Sequence, residues 1–305
     1  MSTANPTTKV NNNQVNAMAE DSKFESRLQV IWRRYKKNKL AVVGLVIFSF
    51  FLLVAIFAPL ITPYDPLELD IINSDLAPSW EHPFGTDSDG GDVLSRTIQG
   101  ARVSLMIGIV AMVISVTIGV IYGAVSGFFG GVVDNIMMRI VDAISSIPSL
   151  FLLLIIATIM VPSVWTTIFV ISLVGWAGMS RIVRGEILSL KRRDYVEAAR
   201  ATGEKRSSII FYHIIPNAIA PIIVIATLDI AGNILLETGL SFLGLGVQPP
   251  TPSWGNMLTA AQELSTLLYH PWIAIFPGLC IVLTVLSVMV IGDGLRDALD
   301  PRMKQ

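Results

Sequence analysis

The chain has 305 residues, 52% of them apolar and 15% charged, with a mean hydropathy of +0.64 and a net charge of −1. That composition excludes an ordinary soluble domain, which would have to bury helices of membrane-spanning length six times over. One cysteine, Cys280, excludes a disulfide within the chain, and the scattered His82, His213 and His270 have no metal-ligand spacing.

Residues 1–20 are rich in Asn and Thr, lack any core pattern and are expected to be disordered. In residues 21–39, Phe24, Leu28, Ile31, Trp32 and Tyr35 recur at helical spacing among Arg27, Arg33, Arg34, Lys36, Lys37 and Lys39. This pattern predicts a basic amphipathic helix in the membrane interface; the plainer alternative is the basic flank of a first span. Six apolar runs then follow, each of about the 20 residues a helix needs to cross a bilayer. They are Leu40–Ile61, Val103–Val125, Ile140–Val161, Val164–Val183, Ile214–Leu236 and Pro271–Gly292. The first begins too late and runs too long for a secretory signal, whose apolar core is about 7–15 residues near the start. It reads as an anchor.

Charge orients the spans. Segments 1–39, 126–139, 184–213 and 293–305 hold 19 of the 22 Lys/Arg, against two in 62–102 and none in 237–270. Positive charge stays inside, so six spans with both termini cytoplasmic are expected. The divisions are a cytoplasmic tail over 1–39, a first helix and outer loop over 40–100, a five-helix core over 101–292 and a cytoplasmic tail over 293–305.

The outer loop 62–102 is acidic and carries turn residues at Pro63, Pro66, Pro78 and Pro83. The second run ends on Gly119, Gly123 and Gly127, four residues apart, a spacing that brings helix backbones together in lipid. Either a subunit seam or packing within the chain would use it. Pro148 is expected to kink the third run. The polar segment 186–216 reads as a helix over Glu186–Thr202 stopped by a left-handed Gly203, then a second turn from Ser207 toward Pro216. Segment 237–270, Gly- and Pro-rich, is too broken to span; it suits a partial dip or a lid.

No catalytic arrangement is legible. Gly203-Glu204-Lys205-Arg206-Ser207 lacks the glycine spacing of a phosphate-binding loop and follows a helix, and Gly244-x-Gly246 meets Pro249 where a dinucleotide motif needs its third glycine. The carboxylates inside spans are the chemical candidates, because charge there usually faces protein or a wet path. Asp229 and Glu237 could line a substrate pathway and receive a peptide amino terminus, or could hold helices together by hydrogen bonds. Asp142 fits a structural role better.

Glu197-Ala198-Ala199-Arg200-Ala201-Thr202-Gly203, followed by His213-Ile214-Ile215-Pro216, resembles the EAA loop of importer-type ABC permeases. In that loop Glu-Ala-Ala, a glycine four residues on and a later proline form a socket part for an ATPase. Further motifs are similar to the C-type permease subunit of dipeptide/oligopeptide importers: His82-Pro83-Phe84-Gly85-Thr86-Asp87, Asp92-Val93-Leu94-Ser95-Arg96, Gly100-Ala101-Arg102-Val103-Ser104-Leu105, Leu240-Ser241-Phe242-Leu243-Gly244-Leu245-Gly246 with Ser253-Trp254-Gly255, and Gly292-Asp293-Gly294-Leu295-Arg296-Asp297. The likeness covers about residues 27–303. Two departures stand out: Gly90-Gly91-Asp92 replaces the usual Gly-Arg-Asp, and His213 and Ile215 precede the proline where Ile and Leu are general.

The resemblance implies an all-α membrane protein with the type I ABC importer permease fold, in a bacterial inner membrane. It implies a homologous second permease subunit, two ATP-binding subunits that hold ATP and Mg, and an extracytoplasmic peptide-binding protein. Membrane lipid surrounds the chain; no nucleic acid and no cofactor on this chain are expected. Glu197, Ala198, Ala199, Gly203 and Pro216 would couple to the ATPases, and the chain itself would hydrolyse nothing. An importer of nickel or another small solute shares much of the pattern. A stand-alone secondary transporter would show an internal repeat or broken midplane helices, and no repeat is evident. A membrane scaffold leaves the EAA segment unexplained.

Overall fold

The structure, a computed structural model, describes residues 27–299. The disorder expected for residues 1–20 lies outside the described residues, as does the end of the C-terminal tail. The described chain is helical, with no strand beyond a single bridge from Thr86 to Asp92. Five of its helices are long and apolar enough to cross a membrane, and a bent pair supplies a sixth crossing if counted as one span.

Helix α1, Arg27–Lys37, stands apart from the first span. Asn38 breaks the chain and caps α2, Lys39–Ile61, by accepting the Ala41 N–H at 3.1 Å. Tyr35 is buried and donates to the Ala41 carbonyl at 2.9 Å, while Trp32 stays exposed with the Lys36 ammonium 5.0 Å from its ring. The chain thus contains a separate basic helix with one apolar side fastened to the bundle. Helix α2 is peripheral: Val43, Val46, Phe50, Leu53 and Ile56 face outward, which suits lipid.

Helix α3, Val93–Phe129, is the central element and touches α2, α6, α8 and α11. It starts ten residues before the apolar run, because Asp92 caps it by accepting the Ser95 N–H at 2.7 Å. The expected division at 100/101 therefore falls inside a helix. Gly119, Gly123 and Gly127 lie against α6, Val164–Leu190, so the small-residue spacing serves packing within the chain. A Cβ on Gly123 would sit 2.5 Å from the Ser180 carbonyl oxygen, which belongs to backbone and cannot swing aside. Gly123→Val is expected to destabilise the bundle by about 1–3 kcal/mol through overpacking. Its melting midpoint in detergent should fall; an unchanged midpoint would remove this seam from the account.

The third crossing differs from the expected kinked helix. Helix α4, Gly131–Ser145, and α5, Ser149–Ile159, meet at an 80° bend. Pro148 offers no N–H, sits extended itself and disfavours helical geometry at Ile147, so the helix breaks completely. The crossing also begins before Ile140, since Gly130, at φ +67°, ends α3 and starts α4 directly.

After α6 come α7, Asp194–Ala201, one α-helical turn at Arg206–Ser208, a π-helical turn at Ile209–Ile214, and α8, Ile215–Phe242. Short helices α9, Trp254–Met257, and α10, Leu264–Tyr269, cap that end of the bundle, and α11, Trp272–Leu299, completes it. Helix α11 packs on α2 and α8, and α8 packs on α3. It also runs through the expected division at 292/293.

The bundle has a basic end, carrying α1 and residues 191–213, and an acidic end, carrying residues 62–92 and 243–271. The acidic loop is a hydrogen-bonded unit. His82 Nδ1 lies 2.9 Å from Asp92, Phe84 stacks on Phe276, and the Thr86 carbonyl accepts from the Trp272 indole at 3.1 Å. Asp87 accepts the Gly91 N–H at 2.8 Å and pairs with Arg96. Gly91 leaves room that Arg96 fills: a Cβ there would lie 2.9 Å from its guanidinium.

Candidate functional site

The segment between α6 and α8 is built to present one face and bury the other. Helix α7 places Asp194 and Glu197 in its first turn, where carboxylates complement the positive end of the helix dipole. Its end is a Schellman motif: the Gly203 N–H reaches the Arg200 carbonyl at 3.0 Å, and the Glu204 N–H reaches the Ala199 carbonyl at 3.2 Å. Gly203 takes φ +77°, as the sequence pattern predicts for a helix stop. The helix over Glu186–Thr202 is instead two, because α6 ends at Leu190 and the chain turns through Lys191–Arg193 before α7 begins.

Val196 and Ala199 point into the bundle and join the buried cluster that includes Phe128 of α3, Val183 and Ile187 of α6, Ile214 of the π-helical turn and Ala218 of α8. Burying Val196 completely is worth about 1.5–3 kcal/mol. Glu197, Ala198, Thr202 and Gly203 are exposed, and Tyr195 lies beside them. Of the residues expected to couple, Ala199 does not share an outer face with Ala198 and Gly203, because successive residues of a helix face about 100° apart. Ala199 seats the helix, and Ala198 faces outward.

Polar side chains that the sequence pattern did not single out hold this seat. Asp134 of α4 receives a two-pronged pair from Arg184 of α6, at 2.5 and 2.6 Å, plus the Ser126 hydroxyl of α3. Lys191 donates to the Gly127 carbonyl at 2.7 Å, and burial pushes its ammonium below the usual lysine range. Glu204 lies 2.8 Å from His213 and accepts from Ser208, tying the end of α7 to the π-helical turn. That wide turn leads into Pro216, which lies in the first turn of α8, where its missing N–H costs least. The Ile215 N–H reaches back five residues to the Ile210 carbonyl. Pro216 is exposed and separate from the α7 face.

The carboxylates inside spans divide. Asp142 forms an exposed ion pair with Arg181 at 2.9 Å, between α4 and α6. Asp229 lies half-buried in the middle of α8, and no described residue gives it a hydrogen bond or ion pair. Glu237 is fully buried among three serine hydroxyls, the helix-holding arrangement rather than an open path. Among the described residues no group of three His, Cys, Asp or Glu could hold a metal ion.

A multi-pass α-helical bundle with a small amphipathic helix seated on the ends of three of its helices defines a membrane component of permease type. The chain belongs to the binding-protein-dependent transport system inner membrane component family, whose model matches residues 115–305. A second family model, the N-terminal TM domain of oligopeptide transport permease C, matches residues 26–78. The oligopeptide transport system permease protein OppC of Bacillus subtilis is 43% identical over 287 residues, covering 93% of each chain. The dipeptide transport system permease protein DppC of Alkalihalophilus pseudofirmus is 43% identical over 273 residues, covering 90% of this chain and 89% of that one. Among solved structures, an amino acid ABC transporter crystallised with histidines aligns at a TM-score of 0.47 and 19% identity, over 65% of this chain and 92% of the other. Family and apolar helices together make this a multi-pass protein of the bacterial inner membrane.

Proposed function

We propose that this chain is the transmembrane subunit of an ATP-driven importer of di- or oligopeptides, forming half of the translocation pathway. The observation that carries the reading is α7, with Glu197, Ala198 and Gly203 turned outward and Val196 and Ala199 inserted among α3, α6 and α8. A partner that draws α7 sideways pulls on three span ends at once. The partners are a homologous second permease, two ATPases that hold ATP and Mg, and a peptide-binding protein outside. ATP-driven closure of the ATPases brings two such helices together and turns the pathway from inward- to outward-facing. This chain hydrolyses no ATP. Asp229 is the pathway carboxylate of the proposal, since it alone of the two candidates lacks partners and retains exposure.

Peptide as the substrate class rests on the OppC and DppC relatives. The deciding experiment is reconstitution of the full complex in proteoliposomes with its binding protein. ATP-dependent uptake of labelled di- or oligopeptide is expected; uptake of nickel without peptide, or peptide uptake that needs no ATPase, would overturn the proposal.

Orientation is part of the same proposal, with the basic end inside. In a Cys280→Ala background, cysteines at the exposed Ser88 and Ser265 should react with an impermeant maleimide from outside intact cells. A cysteine at Ser207, likewise exposed, should react only after lysis. External labelling of Ser207 would invert the topology.

A further inference from the structure

Glu237 is the one ionisable side chain with no exposure among the described residues, and it has no cation beside it. Its Oε1 accepts from the Ser241 and Ser253 hydroxyls, both at 2.8 Å, and its Oε2 accepts from Ser104 at 3.0 Å. Each of those oxygens is itself approached by a backbone N–H: Val247 on Ser241 at 3.1 Å, Asn256 on Ser253 at 3.1 Å, and Trp254 on Ser104 at 3.2 Å. A hydroxyl carries a single hydrogen, and an N–H can only donate. An ionised Glu237 can only accept, so each serine hydrogen is committed to it, and each serine relays one backbone dipole to the carboxylate.

The three N–H groups share an address. Residues 247, 254 and 256 all belong to the segment between α8 and α10 on the acidic end, whereas the serines come from α3, from α8 and from that segment. The Trp254 indole adds a bond to the Thr97 carbonyl at 3.0 Å and packs edge-on against Phe51 of α2. Gly255 lets the segment approach: a Cβ there would lie 2.7 Å from Thr238 Cα and 3.0 Å from Glu237 Oε1. The segment borders a cleft of about 490 Å³, where Thr251 and Pro252 face Gln99 and Arg102 of α3.

We infer that Glu237 is a positioning residue for transport: its buried carboxylate fastens residues 247–256 to α3 and α8 as a rigid cap at the outer mouth. The cap moves with those two helices as one body through the transport cycle and does not hinge open. This rests on the peptide-importer reading for its orientation and its assay. It takes the Ser-Phe-Leu-Gly-Leu-Gly and Ser-Trp-Gly motifs as the two halves of one fastener.

The test uses the whole complex in proteoliposomes, with Cys280→Ala, Gln99→Cys and Thr251→Cys, and a short bifunctional methanethiosulfonate to bridge helix and cap. Before bridging, this complex must take up peptide; failure at that stage counts against the importer reading and leaves the cap inference to the bridging yield alone. The bridged complex is expected to retain uptake within about twofold, as for a linkage across parts that do not separate. A loss that dithiothreitol reverses would show a cap that opens and would overturn the inference. Glu237→Gln keeps Oε1 with its two serine donors and should keep bridging and most uptake. Glu237→Ala orphans three hydroxyls and should lower uptake by about tenfold or more, with poor bridging. Ser253→Ala removes one relay from the cap only and decides the matter should Glu237→Ala fail to insert. Its bridging yield and uptake should fall while copurification of the ATPases stays at the parent level. Unchanged bridging in Ser253→Ala, or equal loss of bridging and ATPase retention, would overturn the fastening role.

Discussion

Glu197→Lys is expected to abolish peptide uptake while leaving the chain folded and inserted. Glu197 is exposed on α7, and no described residue gives its side chain a hydrogen bond or ion pair. Within the chain its charge complements the N-terminal end of a short helix, and a cation there costs about 0.3–1 kcal/mol. The fold tolerates that. A partner surface matched to a carboxylate does not: reversing a charge in a desolvated interface costs about 2–5 kcal/mol, a loss of tens- to thousands-fold in retention. Gly203→Val separates backbone from charge. A Cβ at Gly203 meets nothing within 4 Å, so no clash arises, but φ +77° strains a β-branched residue by about 1–2 kcal/mol. The variant should loosen the end of α7 and shift Glu204 away from His213. Copurification of the ATPases, measured beside uptake, checks both variants. Normal uptake by the two together would show that α7 transmits nothing.

Features of local chemistry were legible in the sequence. Spans follow from runs of apolar residues, and the left-handed Gly203 follows from its place after a helix-forming stretch. The close approach at Gly119, Gly123 and Gly127 follows from spacing, although only the structure shows that α6 is the neighbour. What stayed hidden depends on pairs distant in the chain. Asp134 and Arg184 are 50 residues apart, and Ser104 and Glu237 are 133 apart. Neither residue of such a pair carries a local pattern, so a buried Glu237 could be read as a pathway group until its three serines were placed. Ala199 shows a subtler limit. Ala198, Ala199 and Gly203 stand together among the expected coupling residues, yet Ala199, one helix position or about 100° from Ala198, turns inward. Pro148 was legible as a disruption but not in degree, because a proline either kinks a helix or ends it, and the 80° bend shows that here it ends.

Removal of either partner from the Asp134–Arg184 pair should cost more than any surface substitution on this chain. The Asp134 side chain is nearly buried, 12% exposed, while the Arg184 side chain is 32% exposed. Losing one partner of a buried pair costs about 3–5 kcal/mol, because the remaining charge stays in a poor solvent. Arg184→Ala should have the larger effect of the two, since Asp134 stays nearly buried with the Ser126 hydroxyl and the more distant Lys191 ammonium in place of a paired guanidinium. Asp134→Ala should fall lower, because water reaches part of Arg184 and screens it. The pair joins the start of α4 to α6, and Ser126 ties in α3, so the loss is felt directly beside the α7 seat. Both single variants should lower the melting midpoint of the purified complex and reduce uptake with it. The double alanine variant should be more stable than the sum of the singles predicts, since it leaves no orphan charge. Asp134→Asn keeps the shape and the Ser126 contact but not the charge, and should sit between wild type and Asp134→Ala. Midpoints of the single variants indistinguishable from wild type, or strictly additive losses in the double, would mean that the pair does not hold α3, α4 and α6 together beneath α7.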